Sequence, residues 1–347
     1  MKSKNLSEKI LRSVKSKGFK YIELPSVIEA NHIVQRSGEN FRKFMFSFTD
    51  INGKELCLRP DLTIASCLRY LENNLKGKEK IFYSGQAYRK VQSKKDKIIR
   101  NQVGFEILGS KDEKNDDKEI INTSIKILQD LKFSSGTLTI GNIEIFNLLI
   151  LKLDIPKRWK LRLTRHFWRE EYFNDLLKRL ETNADIDPTI VEIDKKRYLD
   201  LLNKNPEIMI AGRSVGEILK RFDTKIKDPR QAKRGNKVSK IIKSFLKISC
   251  PINKAAMELN KFFKKNKINL VVDQRYFPIS SNKLSKLNVK FSTSFGRHLE
   301  YYSGMVFKID VKSKSTTIKC AGGRYDRLIS DLGSKKQVSA VGAAFNL

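Results

Sequence analysis

The segment LRPDLT at residues 58–63 places a carboxylate, Asp61, and a hydroxyl, Thr63, where a predicted strand ends and a helix begins. Oxygen atoms at such a junction could bind the ammonium group of a small molecule, because a carboxylate supplies negative charge and both groups accept hydrogen bonds. The alternative is structural, since Asp and Thr are also common N-cap residues. This segment alone leaves both interpretations open.

A second polar segment, NQVGFE at residues 101–106, reads as a strand. Alternate residues of a strand share a face, so Gln102, Gly104 and Glu106 point the same way. The glycine leaves room for a ligand on the sheet. Glu106 could accept a hydrogen bond from an imidazole N–H, and Arg89 of the preceding segment GQAYRK could bind a carboxylate or phosphate. The alternative is a solvated sheet face with a Glu–Arg surface pair.

The third polar region consists of GRHLEYYSG at residues 296–304 and AGGRYD at residues 321–326. The paired tyrosines Tyr301 and Tyr302 beside a glycine could form the wall of a small pocket. The Gly-Gly pair lets the backbone approach a ligand or a neighbouring strand closely. Taken alone, AGGRYD is equally consistent with a tight turn in which Asp326 caps a helix.

Local patterns predict the elements that must position these segments. Apolar residues at helical spacing indicate a first helix that ends at Gly18. Alternating phenylalanines, followed by Asn52-Gly53, predict a hairpin. A helix then begins after Pro60, with Asp61 or Thr63 as its N-cap. The remaining predicted strands lie at 81–89, 98–108, 137–140, 268–272, 299–311 and 316–320, with helices at 118–131 and through residue 151.

Between about residues 156 and 247, helical stripes replace this alternation. Residues 220–247 contain eleven lysines and arginines against two aspartates. We therefore predict an α+β fold, with an antiparallel sheet flanked by helices and interrupted by a helical insertion. The predicted limits are 1–155 and 256–347 for the two parts of the core, and 156–255 for the insertion. Neither GxGxxG nor GxxxxGK[ST] occurs in the sequence, which argues against Rossmann and P-loop folds.

The chain of 347 residues has a formal net charge of +32, which has two possible explanations. A strongly basic protein suggests nucleic acid or another anionic partner. However, 49 of the 70 cations are lysines, and isoleucine and asparagine are also abundant, as codon bias in an AT-rich genome would produce. Composition leaves both explanations open.

Cysteine and histidine usage gives no indication of a metal site or another cofactor. The four cysteines form no CxxC pair, and the three histidines are far apart in sequence. The N-terminus is basic but lacks the apolar region of a secretory signal, and the apolar run at residues 148–153 is too short to span a bilayer. We therefore expect a cytoplasmic protein without a membrane partner.

In their order along the chain, LRPDLT, GQAYRK, NQVGFE, GRHLEYYSG and AGGRYD resemble the catalytic core of histidyl-tRNA synthetases, which have the class II aminoacyl-tRNA synthetase fold. The resemblance covers about residues 6–141 and 271–347. It implies a histidine-binding pocket in which Asp61 and Thr63 hold the α-amino group. It also implies that Gln102 and Arg297 lie near the carboxylate.

The same resemblance implies that Glu106 and Tyr302 contact the imidazole nitrogens, with Tyr301 in the pocket wall. Arg89 matches the arginine of motif 2, which contacts the carboxylate or α-phosphate in synthetases. The sequence departs from the family at Val91, where synthetases have a glutamate that binds the adenine amino group. It also differs in the loop at 92–96, and it ends before the ATP-binding arginine of motif 3 and before an anticodon-binding domain.

A sequence that keeps the residues of the histidine pocket but lacks those of the ATP site resembles the regulatory subunits of ATP phosphoribosyltransferase. That resemblance implies a non-catalytic protein that activates a short-form catalytic subunit, binds L-histidine as feedback inhibitor at the first step of histidine biosynthesis, and self-associates through its core. It favours codon bias over nucleic acid as the origin of the charge. Two alternatives remain: a truncated but active histidine-adenylating enzyme, and an RNA-binding module on the same fold.

Overall fold

The structure is a computed structural model. It describes residues 3–37, 39–73, 77–91, 97–133, 135–182, 188–210, 213–227, 232–279, 287–296, 301–312 and 317–347. Internal contacts divide the chain into two compact units. The first contains Met1–Ile145, Ser249–Leu259 and Val272–Leu347, and the second contains Phe146–Ile248 and Asn260–Val271.

A nine-stranded sheet forms the centre of the first unit. Its strands, in chain order, are β1 (Lys20–Tyr21), β5 (Glu79–Tyr88), β6 (Ile99–Leu108), β7 (Gly136–Asn142), β10 (Ser249–Pro251), β11 (Leu287–Ser292), β12 (Met305–Lys312), β13 (Thr317–Arg324) and β14 (Ala340–Asn346). Their spatial order is β1-β5-β6-β14-β13-β12-β7-β11-β10. Only the β1/β5 and β7/β11 pairs among these described strands are parallel. The predicted α+β class with an antiparallel sheet is therefore confirmed.

A smaller sheet in the same unit consists of β2 (Val27–Glu29), β4 (Glu55–Leu58) and β3 (Ser47–Thr49), in that spatial order. The predicted hairpin joins β3 to β4. Gly53 adopts a φ of +77° in its turn, a conformation that favours glycine. Asp50 Oδ1 accepts hydrogen bonds from the backbone N–H groups of Asn52 and Lys54, each at 2.8 Å, which fixes the turn.

The helices of the first unit pack around these sheets. They are α1 (Ser3–Lys15), α2 (Ala30–Ser37), α3 (Leu62–Glu72), α4 (Glu113–Asp130) and α12 (Leu328–Asp331). As predicted, α1 is followed by Gly18, which has a φ of +81°. The fourth helix begins at Glu113 rather than near residue 118, because Asp112 caps it by accepting from Asn115 N–H.

The second unit is mainly helical. It contains α6 (Lys157–Arg165), α7 (Glu170–Glu181), α8 (Pro188–Leu202), α9 (Val215–Lys227) and α10 (Ala232–Phe245), with a short hairpin of β8 (Met209–Ile210) and β9 (Arg213–Ser214). Phe146 stacks on Phe167 with a ring-centroid separation of 3.7 Å, and both contact Phe173. Trp159 is also fully buried, so aromatic packing supplies much of this core.

Two of the limits between the units fall inside helices. Helix α5 (Ile143–Lys152) leaves the first unit after Ile145, and α11 (Ala255–Lys265) leaves it after Leu259. The change in texture near residue 156 lies between α5 and α6, and the change near residue 255 lies at the first residue of α11. Sequence periodicity does not reveal a unit limit that falls inside a helix, because the helical pattern continues unchanged across that limit.

The strand predicted at 268–272 is wrong. Lys267 has a φ of +56°, and the N–H of Ile268 returns to the carbonyl of Phe263, so these residues close the end of α11. Val271 is 75 % exposed and lies in no strand. This apolar, β-branched segment therefore follows the C-terminus of a helix and does not form a strand. Among the described residues, no helix has the length and apolar character needed to span a membrane.

Candidate functional site

Glu106 lies near the end of β6, and its side chain is 1 % exposed. The Tyr83 hydroxyl of β5 donates to Glu106 Oε1 at 2.6 Å, and the Tyr325 hydroxyl donates to Oε2 at the same distance. The Thr63 hydroxyl of α3 donates to Oε1 at 3.2 Å. A buried carboxyl is thus held by three hydroxyls from three different parts of the chain.

Two glycines make room for this arrangement. Gly342 is the cross-strand partner of Glu106 in the β6/β14 pair, and a Cβ on Gly342 would overlap the Glu106 carboxylate. Gly104 is the partner of Tyr83 in the β5/β6 pair, and a Cβ there would meet the Tyr83 hydroxyl at 2.5 Å. The glycine of NQVGFE therefore leaves space for a tyrosine ring from the neighbouring strand.

The protonation of Glu106 is balanced near neutrality. Burial raises the pKa of its carboxyl to about 7, because the charged form loses solvation. Hydrogen bonds from Tyr325, Tyr83 and Thr63 lower that pKa, and the negative charge of Asp61 raises it. The hydroxyls therefore stabilise the charged carboxylate at a site where burial alone would favour the neutral acid.

Asp61 and Thr63 separate into two roles. Asp61 is the N-cap of α3, since its Oδ1 accepts from Ile64 N–H at 3.0 Å. Its Oδ2 lies 3.8 Å from Nη2 of Arg89, whose Nε donates to the Pro60 carbonyl at 2.8 Å. Thr63 instead turns its hydroxyl toward Glu106. The cap interpretation thus holds for Asp61 Oδ1, while Oδ2 and Thr63 face other polar groups.

The predicted wall tyrosines lie beside the Glu106 cluster. The rings of Tyr301 and Tyr302 are 4.9 Å apart, and Tyr301 also meets the ring of Tyr325 at 5.8 Å. Burial raises the pKa of both Tyr301 and Tyr302, and the charges of Asp61 and Glu106 add to that effect. These phenols therefore act as neutral hydrogen-bonding groups.

The AGGRYD segment is anchored through Arg324, which is 5 % exposed. Its guanidinium donates to Asp117 of α4 at 2.7 Å, to Asp326 at 2.9 Å and to Ser339 at 2.8 Å. Asp326 does not cap a helix: its Oδ1 accepts from Ala340 N–H at 2.9 Å. Burial raises the pKa of Asp117 to about 6, although the Arg324 charge opposes this shift. Tyr325 is therefore presented to Glu106 from a rigid turn.

Two predicted residues are not placed in this cluster. The Gln102 amide donates to Asn346 at 2.7 Å, and Gln102 lies four residues before Glu106, which is ~13 Å along a strand. It lines a separate polar pocket with Ser84, Gln86 and Asn101. The prediction for Arg297 falls outside the described residues. A carboxylate-binding role for Gln102 and Arg297 stays a prediction.

Sequence reasoning missed two members of the cluster, Tyr83 and Tyr325. Tyr325 belongs to AGGRYD, whose glycines predict a close approach of the backbone, and Tyr83 lies in the strand predicted at 81–89. The available signal was cross-strand pairing: once β5 is paired with β6, the bulky Tyr83 faces Gly104. That register depends on the length of the intervening loop, which the sequence pattern does not specify.

The arrangement is suited to binding a small polar ligand. A buried carboxylate beside aromatic rings accepts a hydrogen bond from an N–H group strongly, because little water competes there. Among the described residues, no cluster of three His, Cys, Asp or Glu side chains could hold a metal ion. The groups that the structure does bring together are hydroxyls, a carboxylate and aromatic rings.

Comparison with known proteins gives consistent matches along the chain. A family model described as histidyl-tRNA synthetase matches residues 1–347. A protein of Agrobacterium fabrum called "ATP phosphoribosyltransferase regulatory subunit" is 27 % identical over 338 residues, covering 92 % of this chain and 89 % of the relative. One of the same description from Allorhizobium ampelinum is 28 % identical, covering 96 % and 93 %.

Solved structures show the same fold. A protein from Bacillus halodurans described as an ATP phosphoribosyltransferase regulatory subunit/histidyl-tRNA synthetase superimposes with a TM-score of 0.56 at 22 % identity. That match covers 99 % of this chain and 76 % of the other. Histidyl-tRNA synthetase from Nostoc sp. PCC 7120 gives a TM-score of 0.58 at 16 % identity, covering 98 % and 68 %.

Proposed function

The chain belongs to the histidyl-tRNA synthetase family, and from that premise we propose that it is the non-catalytic regulatory subunit of an ATP phosphoribosyltransferase. In this role it activates a short-form catalytic subunit at the first step of histidine biosynthesis. It also binds L-histidine as the feedback inhibitor and self-associates through the core. The observation that carries this proposal is the match over 92 % of the chain to relatives named as that regulatory subunit.

The Glu106 cluster supports histidine as the ligand. An imidazole N–H donates to a carboxylate, and the rings of Tyr301 and Tyr302 supply flat apolar surface beside it. Asp61 Oδ2 and the Thr63 hydroxyl are oxygen atoms suited to an ammonium group. Arg89, beside Asp61, carries a positive charge that suits a carboxylate. These polar types match the three charged or polar parts of histidine.

Val91 supports a non-catalytic role. It follows β5 by three residues, and its side chain is 38 % exposed. A valine cannot accept the hydrogen bond of an adenine amino group, whereas the synthetases have a glutamate at the corresponding position. Loss of that acceptor weakens ATP recognition without affecting the Glu106 cluster.

Feedback inhibition requires a difference in affinity between two states. Histidine shifts the assembly toward inactivity only if it binds the inactive form more tightly than the active form. We therefore expect histidine to weaken the effect of this chain on the catalytic subunit rather than to block the catalytic subunit alone.

The test uses the purified chain together with a purified short-form catalytic subunit. We expect the chain to raise phosphoribosyl transfer, and we expect L-histidine to suppress the raised activity and to give a binding isotherm with the chain alone. The absence of both activation and histidine binding would refute the proposal. Histidine-dependent ATP–pyrophosphate exchange by the chain would instead identify a histidine-adenylating enzyme.

A further inference from the structure

We propose that Tyr83 is a positioning residue for the histidine site: its hydroxyl, with those of Tyr325 and Thr63, orients the Glu106 carboxylate and leaves one acceptor position that no group of the described residues fills. This inference rests on the proposed function in that the ligand is taken to be histidine. Tyr83 is not among the residues that the synthetase resemblance assigns to the pocket.

Burial restricts Tyr83 to an indirect role. The residue is 1 % exposed, and its ring occupies the space above Gly104 in the middle of the β5/β6 pair. Its hydroxyl donates to Glu106 Oε1 at 2.6 Å and lies 3.5 Å from the Thr63 hydroxyl. It therefore acts on a ligand through Glu106.

The number of hydroxyls limits what Glu106 can still accept. A carboxylate has about four lone-pair positions. Tyr83 and Thr63 donate to Oε1, and Tyr325 donates to Oε2, so the described residues fill three of these positions. The position left on Oε2 matches a group with a single N–H donor, such as an imidazole nitrogen. An ammonium or guanidinium group would bring further donors for which this carboxylate has no acceptor.

The clamp also controls the charge of Glu106, since each hydroxyl stabilises the carboxylate relative to the acid. Other titratable groups face the same carboxyl from every element around it. They are Tyr83 from β5, Asp61 and Cys67 from the start and middle of α3, Tyr301 and Tyr302 before β12, and Tyr325 after β13. Removing the Tyr83 hydroxyl alone should therefore move proton uptake by Glu106 to higher pH.

The test compares Tyr83→Phe with Tyr70→Phe. Tyr70 is a matched control, because it is also a buried tyrosine, but its hydroxyl donates to the Gly77 carbonyl at 3.3 Å. The first measurement is a ¹³C NMR titration of the Glu106 carboxyl in the ligand-free protein, assigned by the signal missing from Glu106→Gln. We expect its midpoint to rise by about one pH unit in Tyr83→Phe, the order expected for a hydrogen bond to a charged group, and to stay unchanged in Tyr70→Phe.

The second measurement is the pH dependence of L-histidine binding by calorimetry. We expect about ten-fold weaker binding by Tyr83→Phe, with the acid limb of its profile moved to higher pH. A merely structural role would lower affinity without moving that limb. If Tyr83→Phe does not fold, 3-fluorotyrosine at position 83 keeps the ring and strengthens the donor, and the Glu106 midpoint should then fall.

An unchanged Glu106 midpoint in the folded variant would overturn the proposal. Failure of the proposed function looks different: the wild-type protein would not bind histidine, while the titration would still move with the Tyr83 hydroxyl. The two inferences can therefore fail separately.

Discussion

Gly342 lies directly opposite Glu106 in the β6/β14 pair, and its missing side chain is what gives the carboxylate its place. Any Cβ at this position would overlap the carboxylate. The two residues are 236 positions apart in sequence yet function as one structural unit, because a buried carboxyl can be tolerated only where its oxygens reach donors without steric conflict. The C-terminal strand thus determines the geometry of a side chain on β6.

We expect Gly342→Ala to destabilise the protein by ~2–3 kcal/mol, as overpacking of a filled core typically does. Displacement of Glu106 should also abolish histidine binding. Urea denaturation and calorimetry measure the two effects. Gly216→Ala is the matched control. Gly216 lies in helix α9, and a Cβ there would meet Pro206 atoms at 3.5 Å, an ordinary van der Waals contact distance. That control should be neutral or slightly stabilising, and equal losses for both variants would contradict the expectation.

Glu106→Gln should weaken L-histidine binding by more than ~1.5 kcal/mol, because a charged acceptor is replaced by a neutral one in a buried hydrogen bond. The amide also brings two donors into a cluster whose hydroxyls already donate to that position. Calorimetry at pH 8 measures the effect. Glu72→Gln on the exposed face of α3 serves as the control and should leave affinity unchanged. Equal affinity of Glu106→Gln and wild type would remove Glu106 from the binding site.

Elements with local signals could be predicted from the sequence. The Asn52-Gly53 hairpin, the helix beginning after Asp61 and the strand carrying Gln102, Gly104 and Glu106 each depend on residues within a few positions of one another. Local signals were insufficient at residues 268–272, where an apolar run closes α11 instead of forming a strand. Their packing environment, rather than their composition, determined the conformation.

The Glu106 cluster shows the same limit. Glu106 could be identified from its own strand, but its donors come from 23 residues earlier and 219 residues later. Gln102 shares a face with Glu106, as alternation predicts, yet its amide pairs with Asn346. Alternation gives the direction of a side chain, whereas strand order decides which partner it meets.

The contribution of Glu106 to the stability of the ligand-free protein should decrease as pH rises from about 4.5 to about 7. The pKa of Glu106 is raised by burial to about 7, from an ordinary value of 4.5. The folded state therefore holds a proton in this interval that the unfolded state has released, and stability falls with pH wherever the folded state binds more protons. The contribution is at most on the order of 3 kcal/mol.

Urea denaturation of wild type and Glu106→Gln at several pH values tests this dependence. The difference in the free energy of unfolding between the two proteins should change most steeply between pH 4.5 and 7 and stay constant above pH 8. Asp117, whose pKa burial raises to about 6, contributes in the same direction in both proteins and cancels in the comparison. Parallel curves for the two proteins across this interval would show that Glu106 titrates normally.

Arg59→Lys should destabilise the protein strongly, by ~2 kcal/mol or more, although it conserves the charge. The buried guanidinium donates from Nε to the Gln86 carbonyl at 2.9 Å and from Nη1 to the carbonyls of Leu24 and Pro25 at 2.6 and 2.9 Å. A lysine has a single nitrogen and cannot reproduce this planar set of donors, so buried carbonyls lose their partners. Gly85 leaves room for this guanidinium, since a Cβ at Gly85 would overlap it.

Arg69→Lys is the control for Arg59→Lys, because Arg69 is exposed on α3 and its ion pair with Glu72 at 3.3 Å is solvated. Thermal and urea denaturation should separate the two variants clearly, with the control within ~0.5 kcal/mol of wild type. The three carbonyls belong to the segment before β2 and to β5, so their loss should also loosen the strand that carries Tyr83. Hydrogen exchange of β5 amides in Arg59→Lys should therefore accelerate, whereas unchanged protection would show that Arg59 does not hold this strand.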